Sequence, residues 1–262
     1  MKVSMFTNKN NQSIQGFTLT EILVSITIIL ILAVLSFLGF SRMRSSGDQI
    51  VSTRNIANLM IANAAYASDN NGKYVPYTRR PTADEIAAGI SYPGESYWTT
   101  NWKFLRNLRG EPTGGREWEA PLSAMDPITV RAKKNSYDNL YGSYGYNTTN
   151  QPGVGQPGTP WPGVGSNQSF SVHHIKNPSR TACFTTGTDI GVSPSNPVLW
   201  KNKNNQKEGK TENSMMSFRH ANKTKALVVY YDGHVSAVTV ADMEKINKEG
   251  AGENVFWNAL AN

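Results

Sequence analysis

Cysteine is almost missing from this chain: Cys183 is the only one in 262 residues, so no intrachain disulfide holds the fold. The thiol sits in Thr181-Ala182-Cys183-Phe184, an apolar setting that suits a small core residue better than a nucleophile. Acidic residues are also in short supply. There are 19 against 26 Lys and Arg, leaving a formal net charge of +7. The excess is scattered in short groups (Arg79-Arg80, Lys133-Lys134, Lys201 to Lys210, Lys223 to Lys225) with no nucleic-acid-binding motif beside it, so a nucleic-acid partner is not expected. G-x-S-x-G, H-E-x-x-H, a Walker loop and paired-cysteine metal spacing are all lacking. Charge and proline are both absent from Ile22 to Ser41. Aromatics are well stocked, which argues against a disordered chain.

What is present begins with a join. Met1 to Gly16 is polar, with Lys2 and Lys9 its only charges, and Gly16-Phe17-Thr18-Leu19-Thr20-Glu21 leads into the uncharged run. Those 20 uncharged residues, as a helix rising about 1.5 Å per residue, match the hydrocarbon core of a bilayer, about 30 Å. No small-x-small cleavage site closes the run, so the leader reads as cytoplasmic and the run as retained. Glu21 is the anomaly. A carboxylate at the boundary costs up to about 3 kcal/mol if it is drawn to the bilayer centre. It either snorkels to the headgroups or meets a cation. A cut after Gly16 would create an amine on Phe17, four residues before Glu21 and about one helical turn away.

These residues resemble the processing site of type IV pilins and type II secretion pseudopilins. The resemblance implies that a prepilin peptidase cuts after Gly16 and methylates Phe17. It also implies that Glu21 pairs with a neighbour's amine during assembly. The implied partners are that peptidase, other pilin-like subunits, the inner-membrane assembly platform and the membrane itself. The implied setting is a single pass through a bacterial inner membrane with the head in the periplasm, then a filament or the cell surface. One departure is that many relatives carry a proline that would fall near Leu38.

Beyond the run, Ile50, Ala57, Ile61, Ala64 and Ala65 recur at helical steps and predict an amphipathic helix packed by that stripe, with Arg44, Asp48, Arg54 and Asn58 on its polar face. The boundaries expected are a leader over 1–16, a membrane or filament-core helix over 17–41, its amphipathic half over 42–72, and a head over 73–262. Asp69-Asn70-Asn71-Gly72 ends the helix. The start of a calcium loop is visible there, but without its closing glutamate the segment reads as a turn. Short helices are predicted over Thr82 to Ala88 and Trp102 to Leu108, and a strand-like run over Phe170 to Ile175 holds His173 and His174. Tyr137 to Tyr146 reads as a strand or loop, Asn150 to Ser166 and Asn196 to Lys210 as long loops, and Thr181 to Thr186 as a strand. Lys225 to Tyr231 and His234 to Val240 flank Asp232-Gly233 and predict a hairpin over 225–240 with positive φ at both turn residues. A short helix over Asp242 to Lys248 and an apolar tail (Val255, Phe256, Trp257, Leu260) close the chain. The fold class expected is α+β: a long N-terminal helix on an antiparallel sheet, with long loops.

His220 followed by Asp232-Gly233 resembles the C-terminal H-X9-DG region of a subgroup of prepilin-like proteins. It departs from that pattern in having eleven intervening residues, Ala221 to Tyr231. His220, His234, Asp232, Asp189 and Cys183 are the candidates for an active site. His220 and Asp232 would make an acid/base pair, but without a nucleophile motif a buried histidine bonded to Asp232 explains them structurally. No catalytic residue, metal or cofactor is therefore expected. The leading expectation is a prepilin-like structural subunit. The alternatives are a membrane-anchored surface or carbohydrate-binding module using the aromatics between Tyr137 and Trp161, and an anchored hydrolase using His220 and Asp232.

Overall fold

The computed structural model describes residues 17–91, 96–109, 117–132, 140–151, 168–194, 215–248 and 254–261. The loops expected over 150–166 and 196–210 lie almost wholly outside the described residues, as do 137–139 at the start of the Tyr137 to Tyr146 segment. The chain divides into two compact units, Met1–Arg44 and Ser45–Asn262.

The first helix, α1 (Leu19–Asp69), runs for 51 residues across this division. Within the first unit it contains a stretch, Leu19–Phe37, with mean hydropathy 2.5 and none of it buried. At about 1.5 Å per residue that stretch can cross a bilayer. Two of its hydroxyls bond back along the helix itself. Ser25 Oγ donates to the Glu21 carbonyl at 2.7 Å and Thr27 Oγ1 to that of Leu23 at 2.8 Å, so neither group demands water.

In the second unit, α1 is anchored to the head by the opposite face from the stripe expected. Ile56, Leu59, Met60 and Ala67 are buried, whereas Ile50 is 70% and Ile61 65% exposed. The reason is that the buried face also carries Ser52, Asn55 and Asn63, which a hydrophobic count treats as solvent-facing. Each finds a partner inside. Asn55 Nδ2 donates to the Met125 carbonyl at 2.7 Å, and Asn63 accepts from Val75 N at 2.9 Å while its amide meets Cys183 Sγ at 3.3 Å. Buried polar groups so bonded cost little, and they fix the rotation of the helix. Asp48, read as solvent-facing, takes a forked contact from Arg131, with Nη1 at 2.9 Å from Oδ1. The helix stops as expected: Asn71 and Gly72 turn left-handed (φ 55 and 73), and Gly72 N bonds back to the Ala67 carbonyl at 2.8 Å.

The head is built on a five-stranded sheet: β3 (Tyr144–Asn147), β4 (Ala182–Thr186), β5 (Gly191–Val192), β6 (Lys225–Tyr230) and β7 (Val235–Thr239), in the order β5-β3-β4-β6-β7. All pairs are antiparallel except β3 with β5, so the sheet is mixed rather than purely antiparallel. Gly145 allows this parallel approach, since a Cβ there would lie 2.5 Å from Val192 Cγ1. Both sheet faces are covered. Leu227 and Val229 join the core with Ile56, Leu59 and Phe184, while Ala226 and Val228 face a second core holding Met215, Phe218, Met243 and Trp257. That explains why β6 reads as a continuous apolar run instead of an alternating one. A register shift at Cys183 puts Cys183 and Phe184 in the same core.

The smaller elements largely match expectation. A two-stranded ribbon pairs β1 (Thr78–Arg79) with β2 (Ser96–Tyr97). Thr82 and Glu85 form a capping box on α2 (Ala83–Ala87), followed by α3 (Trp102–Arg109) and α4 (Pro127–Ala132). Two details differ. The run holding His173 and His174 is a 3-10 turn, Val172–His174, because Ser171 caps it and turns the chain out of extension. The 225–240 hairpin forms, but only Gly233 has positive φ (94°). Gly233 N bonds to the Tyr230 carbonyl at 2.9 Å and Tyr230 N to that of His234 at 3.0 Å, giving a three-residue loop with a glycine bulge. After β7, α5 (Val240–Lys248) and the tail close the second core. Ala182 N bonds to the Phe256 carbonyl at 2.9 Å, and Trp257 is fully buried.

Candidate functional site

Two sets of candidate residues fall in different units. The first is the start of α1. Gly16 lies outside the described residues, and Phe17 is 85% exposed. Thr18 caps the helix: Glu21 N donates to Thr18 Oγ1 at 3.2 Å, while Glu21 Oε2 accepts from Thr18 N and from its hydroxyl, both at 2.8 Å. This is a reciprocal capping box, and a carboxylate in the first turn also complements the positive end of the helix dipole. Glu21 is therefore answered in part by its own subunit, through Thr18, a residue the Glu21-to-amine reading passed over. The Thr-x-x-Glu spacing before an apolar run is the signal that identifies it. Oε1 makes no hydrogen bond among the described residues, which leaves an acceptor for an amine.

The second set is in the head, and there the structure separates what the sequence paired. His220 is buried, at the base of the turn that leads into β6, and its Nε2 lies 2.9 Å from Asp126 Oδ2. Asp232 is at the hairpin turn instead. Its Oδ1 accepts from His234 N at 3.1 Å and lies 2.6 Å from His234 Nδ1, both side chains being partly exposed. His220 is thus not bonded to Asp232, and the acid/base pair proposed for a hydrolase is not assembled. Gly233 supplies the positive φ of the turn. Between His220 and β6, Ala221, Asn222 and Lys223 make a tight left-handed turn (φ 46, 59 and 66), which brings Lys225 N back to the His220 carbonyl at 3.1 Å.

Asp126 is the residue sequence reasoning missed. It precedes Pro127 at the start of α4, and its Oδ1 caps that helix through Ile128 N at 2.8 Å. Asp-Pro ahead of Ile-Thr-Val was the available signal. Its other oxygen accepts from Ser52 Oγ of α1 at 2.8 Å, and Ser52 is 3.0 Å from the Tyr144 hydroxyl. Burial alone would raise the Asp126 pKa. The contact with His220, the Arg219 guanidinium and the Ser52 hydroxyl outweigh it and hold it at about 2. Arg219 in turn bonds Thr129, the Gly187 carbonyl and Ser217 Oγ, the last at 2.9 Å. Every member of this group is buried. It ties α1, α4, β3 and the approach to β6 together without offering a surface to a substrate.

Two candidates remain, Cys183 and Asp189. Cys183 is buried, and burial pushes its thiol well above the usual range. Asp189 uses Oδ1 to accept from Ile190 N at 2.7 Å. Among the described residues no three His, Cys, Asp or Glu side chains are grouped to hold a metal.

Residues 11–37 match the family model described as the prokaryotic N-terminal methylation motif. No curated protein and no solved structure matches the chain. The matched segment takes in the Gly16-Phe17 bond, Glu21 and the apolar run as far as Phe37. The chain thus carries a prepilin-like signal joined to an apolar helix long enough to cross a membrane.

Proposed function

We propose that the chain is a prepilin-like structural subunit, cut after Gly16, methylated at Phe17 and assembled through α1 into a type IV pilus or type II secretion pseudopilus. The observation that carries this reading is the methylation motif over residues 11–37, which takes in the whole apolar stretch Leu19–Phe37. In it, prepilin peptidase acts at an exposed helix start. The apolar half of α1 resides in the inner membrane before assembly, and the head lies on the periplasmic side. The spare acceptor on Glu21 then takes the amine of a neighbouring subunit, while its other oxygen keeps the helix capped. This division of labour favours assembly over snorkelling, because the capping contact holds the carboxylate near the helix start. His220, Asp232 and Gly233 serve the head's folding in this reading: the first through Asp126, the other two at the hairpin turn.

Mass spectrometry of the mature N-terminus tests it. The expected mature chain begins at methylated Phe17. Gly16→Ala leaves the leader in place, and Glu21→Ala is processed but does not assemble. An intact Met1, or a cut within the apolar run, overturns the reading.

A further inference from the structure

At the head end of α1, the chain reverses through Asn71 and Gly72 into Lys73 and Tyr74. Tyr74 N bonds to the Phe170 carbonyl at 3.0 Å, which brings Ser169 alongside. Arg79 of β1 and Lys103 of α3 complete a cleft of ≈ 330 Å³, which Tyr66, Asp69, Asn70, Asn71 and Pro76 also line. That size falls at the lower end of small-ligand sites.

The charges around the cleft do not cancel. Arg79 is 8% exposed, its Nη2 bonds both oxygens of Glu85, and its buried Nη1 has no hydrogen-bond partner among the described residues. Lys73 and Lys103 are exposed, and neither ammonium has a carboxylate within ion-pair distance among the described residues. The Lys103 ammonium lies 5.6 Å from the centre of the Trp102 ring instead. Setting Glu85 against Arg79 and Asp69 against one lysine leaves a single positive charge. Asn70, Asn71 and Ser169 add amide and hydroxyl groups to the same walls. A ligand matched to this lining has one negative charge and many hydroxyls.

We propose that this cleft binds a saccharide bearing one carboxylate, a uronic-acid unit, with the carboxylate answered by Lys73 and Lys103 and the hydroxyls by Asn70, Asn71 and Ser169. None of the described residues 140–151 of the aromatic segment lines the cleft, and the site does not depend on how the N-terminus is processed. Full-length protein in nonionic detergent, titrated calorimetrically at low ionic strength with glucuronosyl-galactose, tests it. Neutral glucosyl-galactose and inorganic phosphate serve as comparisons. The expected result is binding of the acidic disaccharide at least about tenfold tighter than either comparison, weakening as salt is added. K73E/K103E loses at least about tenfold in affinity, and the neutralised K73Q/K103Q loses less in the same direction, both with an unchanged melting temperature. No binding of the acidic disaccharide, equal binding of the neutral one, or unchanged affinity in both variants overturns the proposal. Phosphate binding as tightly as the disaccharide overturns it too, by reducing the cleft to a general anion site.

Discussion

The two halves of α1 solve the same problem in opposite ways. Over Leu19–Phe37 every side chain is exposed in the subunit, and the two hydroxyls at Ser25 and Thr27 bond back along the helix. From Ser52 to Ala67 one face is buried, and its polar residues reach outward to α4, to β4 and to the loop at Val75. A helix suited to lipid keeps its polar groups to itself, while a helix suited to a head uses them as addresses. Hydrophobicity alone therefore describes the first half completely and misorients the second.

The largest expected effect breaks the second half's polar anchoring. Asp126→Ala leaves His220 and Arg219 buried without their carboxylate and removes the acceptor of Ser52. Leaving the buried Arg219 guanidinium without the carboxylate that offsets it costs about 3–5 kcal/mol, read as a lowered denaturant midpoint of the head.

Next comes the apolar part of the same face. Leu59→Ala is expected to cost about 2–5 kcal/mol, whereas Ile61→Ala on the exposed face changes stability by no more than about 0.5 kcal/mol. Equal losses at the two positions in a denaturant titration would restore the stripe through Ile50 and Ile61 as the packed one. The first half is probed by Ile29→Lys, which places a charge in the middle of the apolar stretch. That costs about 3 kcal/mol for a membrane position and should release the protein from membranes on fractionation, with the head's melting unchanged.

These contrasts also explain what the sequence could and could not disclose. The apolar run, the stop at Gly72, the hairpin at Gly233 and the strand at β4 were legible because local pattern and turn chemistry decide them. The buried face of α1 was not, because Ser52, Asn55 and Asn63 look like solvent residues until their partners at Asp126, Met125 and Val75 are in place. The partner of His220 was misassigned for the same kind of reason. Asp232 lies nearby in sequence and belongs to the resembling motif, but the hairpin turn claims it for His234. Asp126 is brought in by α4 from far upstream. At the N-terminus the role of Thr18 is legible from the Thr-x-x-Glu spacing, which marks a helix cap whatever else answers Glu21.

The smallest effect sharpens the comparison through pH, since the buried carboxylate partner belongs to the head half alone. Asp126 has its folded pKa depressed from an ordinary value of 3.8 to about 2. A depressed carboxylate stabilises the fold above its unfolded pKa, and that contribution is lost as pH falls through the folded value. The window therefore lies between about pH 4 and pH 2, and the stake is on the order of 2 kcal/mol. Glu85 and Asp242 are also depressed, the first largely through Arg79, which opposes the rise from burial, and the second through the backbone at Thr239. Wild type alone would mix the three. The difference between wild type and Asp126→Asn isolates the buried group, because the amide keeps the shape and cannot ionise. Thermal melts should show the stability gap between the two narrowing as pH is lowered across that window. A constant gap would mean that Asp126 contributes by shape and hydrogen bonding, with no charge at stake. The head would then hold its half of α1 by the same uncharged means that the membrane half uses within itself.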